Sequence, residues 1–263
     1  MQIDPRFPPP QQPMYYYPPI EQPPVSPLQP SGVFIAPGQR EWIGGLIYLF
    51  LHMFLMGELI HVVFSRLGIS LSLITLNLIY MSTGVLFLSL FMWKYLANSL
   101  RQFRGFGVKG NLIALGIGYG IRFVASMPLG KLLPVFLPDF GTTPNTEVAM
   151  GLVIQHFIPT AILAVILAPI AEELMFRGAI FGSLYKKNRI LAYTISTLAF
   201  AFLHVQAFLF FNFSPSLFLV MLVYVPAGLA LAWAYEKSGS IWTAIVLHGL
   251  MNLVAVLLGP LLA

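Results

Sequence analysis

The sequence predicts an all-α fold, a polytopic helical membrane bundle of about seven transmembrane helices, or eight. Three observations predict it. Of 263 residues, 58% are hydrophobic and only 9% charged, against about 25% charge in a soluble domain. Apolar runs of spanning length recur along the chain. The basic residues fall in the short connections between those runs, which is the pattern of membrane topology and not of a nucleic-acid surface.

The elements follow in order. Residues 1–40 hold 12 of the 21 prolines. That density removes backbone donors and favours solvated polyproline II, so this region reads as a disordered cytoplasmic arm. It begins Met1-Gln2-Ile3-Asp4-Pro5, with no basic n-region and no signal peptide expected. A helical membrane domain over 41–263 follows, with spans expected at 42–65, 69–93, 111–127, 149–184, 190–210, 216–235 and 240–260. The prolines at 128, 134, 138 and 144 mark 128–148 as loop, with room for a short extra helix. With the N-terminus in the cytoplasm, seven spans put ten Lys and Arg on the inner side and two, Arg66 and Lys131, on the outer. The expectation is a multi-pass protein, N-in and C-out, in the plasma membrane of a prokaryote. With no cysteine, disulfides, thiol catalysis and thiolate metal sites are excluded.

Six polar or ionisable residues interrupt three otherwise apolar stretches: Glu172, Glu173, Arg177, His204, His248 and Asn252. A charge near the bilayer centre costs roughly 2.5–3.5 kcal/mol even on a lenient insertion scale. Single buried polar residues commonly glue membrane helices together. Six, of the types that make a hydrolytic site, point to chemistry. At a helical rise of about 1.5 Å per residue, Glu172 lies about 18 Å in, His204 about 21 Å, and His248 and Asn252 about 12 and 18 Å. Residues from three helices can therefore meet in one layer.

Spacing assigns faces. Glu173 and Arg177 form an i,i+4 pair in the favourable order, and His248 and Asn252 stack on one side of their helix. Glu172 points about 100° away from Glu173. Glu173 and Arg177 are thus expected to compensate one another, leaving Glu172 free. A buried carboxylate suits a general base acting on water, His204 can orient that water, and His248 with the Asn252 amide can donate to a developing oxyanion. Such a set hydrolyses an amide without a covalent intermediate. A zinc alternative uses Glu172, His204 and His248 as ligands with an open position for water. The metal-free version ranks higher, because the usual His-Glu-x-x-His helix is absent.

Glu172-Glu173-Leu174-Met175-Phe176-Arg177 resembles the Glu-Glu-x-x-x-Arg motif of the CAAX protease and bacteriocin-processing family of intramembrane proteases. Phe200-Ala201-Phe202-Leu203-His204 is similar to its Phe-x-x-x-His motif, and His248-Gly249-Leu250-Met251-Asn252 to its His-x-x-x-Asn motif. The resemblance covers roughly 150–260, a protease-like core. It implies Glu172, His204, His248 and Asn252 as the catalytic set, supported by Glu173 and Arg177. It also implies a site toward the cytoplasmic side, no cofactor, and a protein or peptide substrate that is membrane-associated or lipidated, as for the type II CAAX prenyl endopeptidases. The rival readings are a non-proteolytic scaffold or bacteriocin-immunity protein with the same fold and, more remotely, a proton-coupled transporter. Glu58 and His61 read as a local pair facing the bundle, with His52 above them. Arg122 requires a partner, either Glu58 or the cluster.

Overall fold

The computed structural model describes residues 34–138, 141–211 and 213–262. Of the expected arm over 1–40, residues 1–33 lie outside the described residues. Residues 34–38 are extended and pack on the helical unit. The Phe34 ring lies 4.3 Å from Tyr185 and 4.8 Å from Tyr235, and the Ile35 carbonyl accepts from the Tyr235 hydroxyl at 2.8 Å.

Ten helical elements follow among the described residues: α1 (Gln39–Phe54), α2 (Met56–Arg66), α3 (Leu73–Phe91), α4 (Trp93–Phe136), α5 (Pro144–Gln155), α6 (Phe157–Tyr185), α7 (Arg189–Leu203), α8 (Gln206–Phe211), α9 (Leu217–Ser238) and α10 (Ile241–Leu262). Five of them are long and apolar enough to cross a membrane, or six if α1 and α2 together make one span. The protein is a helical integral membrane bundle. By this measure the expected count of seven is not reached, because α7 has only 15 residues.

Local chemistry sets the boundaries. Ser72, Thr143 and Asn188 cap α3, α5 and α7, each side-chain oxygen accepting a backbone N–H of the first turn. Left-handed Gly239 (φ 68°) ends α9 and lets α10 begin two residues later. The connection at 186–188 is as short as expected.

The helices depart from the expected spans in four places. The run 42–65 is not one rod: α1 and α2 meet at Leu55 with a 60° bend. Most of the expected 128–148 loop is helical, since α4 continues through Pro128 and Pro134 to Phe136 and α5 starts at Pro144. Apolar membrane helices tolerate proline where a water-exposed helix would not, so proline content alone misplaced that boundary. The long run 149–184 breaks at His156 (φ −141°, ψ 60°), which separates α5 from α6. The run 190–210 breaks after Leu203, at the residue before His204. In addition, α4 kinks at Gly107 (φ 75°), upstream of the expected span 111–127. The Asn111 amide serves this kink by donating to the Phe103 and Gly107 carbonyls at 2.9 Å each.

The core is built around α6. Residues 171–182 are buried without exception, as befits a helix apolar on every side and enclosed by others. Tyr48, Leu88, Met92, Phe200, Leu231 and Leu247 pack around it from α1, α3, α7, α9 and α10, or from the α3–α4 junction in the case of Met92. At one end a carboxylate ties three helices together. Glu236 of α9 accepts from Arg189 Nε at 2.6 Å and Nη2 at 2.9 Å, and from the Tyr185 and Tyr193 hydroxyls. Those partners stand at the end of α6 and on α7.

α10 comes close to α6 at Gly249, where an added Cβ would lie 2.7 Å from the Val165 carbonyl oxygen. The obstacle is backbone, so it yields only if a helix moves. We expect Gly249→Ala to cost about 1–3 kcal/mol, read as a lower unfolding temperature in detergent. An unchanged temperature would contradict the close packing of these two helices.

Candidate active site

The rod that carries the two glutamates is not a regular α-helix. Its segments Leu163–Leu167 and Leu174–Phe181 are π-helical. Such turns shift backbone carbonyls off the ordinary ladder and recur at functional sites. One shifted carbonyl, that of Ala164, accepts from Asn252 Nδ2 at 2.8 Å. The second π segment carries Arg177, which is completely buried.

Arg177 organises its surroundings with two bonds and one stack. Nη1 donates to Glu173 Oε1 at 3.0 Å, and Nη2 donates to the Gly228 carbonyl of α9 at 2.9 Å. The guanidinium lies 4.6 Å from the centre of the Phe200 ring. Glu173 is also fully buried, and its Oε1 faces His248 Nδ1 at 2.9 Å. A carboxylate opposite that nitrogen makes Nδ1 the donor, which orients the ring. His248 Nε2 is thereby directed at Glu172 Oε2, 4.0 Å away. Glu172 is buried, and that oxygen has no hydrogen-bond partner in the protein.

The charges of this group nearly balance. With both carboxylates ionised, Glu172, Glu173 and Arg177 carry one net negative charge. Buried charges persist only when paired, and the His248 ring stands between the two carboxylates, 2.9 Å from Glu173 and 4.0 Å from Glu172.

His204 stands at the C-terminus of α7. Its Nδ1 lies 2.8 Å from the Phe200 carbonyl. That carbonyl can only accept, so Nδ1 carries hydrogen and Nε2 presents a lone pair in the neutral ring. The imidazole stacks on Tyr224 at 4.3 Å and packs on Phe200 at 4.6 Å. Phe200 is also 5.6 Å from the His248 ring, so one aromatic side chain positions both histidines and Arg177. The Tyr224 hydroxyl pairs with Thr143 Oγ1 at 2.6 Å, which ties this wall to α5.

The sequence-expected residues are thus brought together in different ways. Glu173, Arg177 and His248 are directly bonded, and Glu172 adjoins them. His204 joins through Phe200, without a hydrogen bond to either glutamate. Asn252, one turn beyond His248, is bonded to the Ala164 carbonyl, and its second amide hydrogen is the one left for other use. Several details differ from or add to the expectations. Arg177 does not compensate Glu173 alone, because His248 shares that carboxylate. Among the described residues no three His, Cys, Asp or Glu side chains are placed to hold one metal ion. Glu58 and His61 are exposed and not a pair facing the bundle. Arg122 lines a cleft of about 850 Å³ with Thr146, Glu147 and Met251, not with Glu58. The sequence did not single out Tyr224 or the Gly228 carbonyl. Phe200 was visible only as the first residue of an i,i+4 pair.

Comparison with known proteins bears on the same segment. Residues 154–254 match the family model for type II CAAX prenyl endopeptidase Rce1-like proteins. The matched segment is similar to CAAX proteases. It contains all six site residues. The membrane-embedded CAAX protease MroQ of Staphylococcus aureus (strain USA300) is 31% identical over 144 residues, 52% of this chain and 53% of that protein. The candidate membrane peptidase YdiL of Bacillus subtilis (strain 168) is 32% identical over 115 residues, 43% of this chain and 42% of that protein. The chain therefore spans about half the length of the curated relatives it matches, or less. No solved structure matches it significantly.

The geometry separates the two glutamates by their energetic roles. Removing the cation from a buried pair costs about 3–5 kcal/mol, so Arg177→Met is expected to destabilise the protein by that order. Glu172→Gln, which deletes no hydrogen bond within the protein, should change stability by less than about 1 kcal/mol. Thermal unfolding in detergent micelles measures both. Equal losses would mean that Glu172 is also a structural ion-pair partner.

Proposed function

We propose that this protein is a glutamate-dependent intramembrane endopeptidase. It hydrolyses a peptide bond of a membrane-associated or lipidated protein or peptide, with water activated by Glu172. The observation that carries this reading is the division between the carboxylates. Glu173 Oε1 is committed to Arg177 and His248, whereas the Glu172 side chain makes no hydrogen bond among the described residues and its buried Oε2 lies 4.0 Å from His248 Nε2. The match of residues 154–254 to the type II CAAX prenyl endopeptidase Rce1-like family model supports the same class of reaction.

The chemistry then runs through the chain's own side chains. Glu172 takes a proton from a water held between it and the imidazoles, and His204 Nε2 accepts a hydrogen bond that orients this water. The water oxygen attacks the scissile carbonyl carbon. The second amide hydrogen of Asn252 and the Nε2–H of protonated His248 stabilise the resulting oxyanion. Glu172 returns its proton to the leaving nitrogen, and the carbon–nitrogen bond breaks. The products are a carboxylic acid and an amine, with one water consumed. No metal takes part in this scheme, and turnover that persists after exhaustive chelation is its expected behaviour.

The membrane is proposed to be the plasma membrane of a prokaryote, with the N-terminus and the site's entrance on the cytoplasmic side. The chain has no cysteine, so single introduced thiols report sidedness without background. Lys187→Cys should label with an impermeant reagent only from the cytoplasmic side, and Lys131→Cys only from the opposite side. The reverse pattern would overturn this orientation.

The activity is tested in proteoliposomes with membrane-tethered reporter peptides, each with and without a lipid group. Wild-type protein should cleave at least one, while Glu172→Gln inserts normally and loses at least about a thousandfold in kcat. A Glu172→Gln variant that cleaves as well as wild type would remove the glutamate mechanism. A variant that keeps full biological effect without cleavage would favour the scaffold or immunity role.

A further inference from the structure

One group of buried polar atoms is unused by the scheme above. Tyr48 and His52 stand one turn apart on α1 and are only 1% and 2% exposed. The Tyr48 hydroxyl and both ring nitrogens of His52 have no hydrogen-bond partner in the protein. Their rings are nevertheless firmly held. His52 stacks on Tyr80 of α3 at 4.1 Å, and the Tyr80 hydroxyl donates to the His52 carbonyl at 2.6 Å. Tyr48 lies 5.8 Å from His52 and stacks on Phe87 at 4.9 Å. The fold thus fixes the aromatic bodies and leaves the polar atoms unengaged. A buried donor or acceptor left unpaired costs about 1–3 kcal/mol. Native proteins meet such groups with internal water or keep them for a function.

The Tyr48 hydroxyl, one turn from His52, lies next to the turn that carries Glu172. A Cβ added to Gly84 of α3 would lie 3.1 Å from the Tyr48 hydroxyl and 3.4 Å from the Ala171 methyl, and Ala171 immediately precedes Glu172. Glu172 Oε2 is itself buried and unpartnered. Four polar atoms on α1 and α6, packed on one side of α3, therefore share the same need for small hydrogen-bonding partners.

Hydrolysis inside a membrane consumes one water per turnover at a place where lipid surrounds the helices. We propose that Tyr48 and His52 form a water-holding site that supplies Glu172. The ligand is water alone: a hydroxyl and a neutral imidazole each donate and accept, so water can be held and passed along between them. This inference rests on Glu172 being the base, and deepens that reading. Tyr48 and His52 touch neither substrate nor the reacting atoms, so they are positioning residues, and Tyr80 holds the His52 ring in place.

The test uses full-length protein in proteoliposomes and any reporter that wild type cleaves. Tyr48→Phe and His52→Phe keep aromatic rings and remove the polar atoms. Each should lower kcat by about tenfold while leaving KM and the unfolding temperature unchanged. Combining them should cost little more than the worse single change, since both serve the same water. His52→Gln, which retains a donor and an acceptor, should recover most of the rate. Wild-type kcat in both Phe variants would overturn the proposal, and so would a His52→Gln loss equal to that of His52→Phe, which marks a packing role. Glu172→Gln run in parallel separates the two levels. If it is inactive while both Phe variants are fully active, only the water-holding site falls. If it remains active, the base assignment itself falls.

Discussion

A single carboxylate oxygen holds the site together. Glu173 Oε1 accepts from both Arg177 and His248, and Arg177 passes the link on to the Gly228 carbonyl and the Phe200 face. That chain joins α6 to α7, α9 and α10 at the centre of the bundle. Charges at this depth persist only when paired and hydrogen-bonded, so the four helices are held in one mutual arrangement by a penalty for separating them. The same bonds decide which acid is available. With Glu173 engaged twice, its neighbour is the carboxylate left for chemistry.

The surrounding structure supplies partners for backbone that departs from the regular ladder. The π-helical turns of α6 shift carbonyls, and Asn252 meets one of them. Asn111 does the same at the kink in α4. Gly249 lets α10 come close enough to the first π segment for Asn252 to reach it. At the far end of the same helices, Glu236 with Arg189, Tyr185 and Tyr193 fixes α6, α7 and α9. The site is therefore braced from both ends by polar contacts inside a largely apolar body. In a membrane this is the effective way to specify geometry, because apolar packing against lipid gives little preference for one helix arrangement over another.

Much of this was legible in the sequence. Composition gave the helical membrane class. The i,i+4 spacing of Glu173 and Arg177 predicted their pair, and the 100° offset predicted that Glu172 would stand apart. The partner of His248 was not legible, because two adjacent glutamates are equally acidic and only the packing of α10 selects between them. The bend at Leu55 carries no proline or glycine at that position, and Pro128 and Pro134 sit inside a helix, so the usual breakers pointed to the wrong places. Tyr48 and His52 gave no periodic signal, because their significance lies in what they fail to bond. Tyr224, 20 residues after His204 by number, meets it only through the return of the chain from α8 into α9.

The central claim is that Glu173, and not Glu172, is the structural partner of His248. A double-mutant cycle measures it, with Glu173→Gln and His248→Gln alone and combined, set against the same cycle for Glu172→Gln and His248→Gln, all read as unfolding free energy in detergent. The account predicts a coupling of about 1 kcal/mol or more between Glu173 and His248 and a much smaller one between Glu172 and His248. A large coupling to Glu172 with none to Glu173 would contradict it.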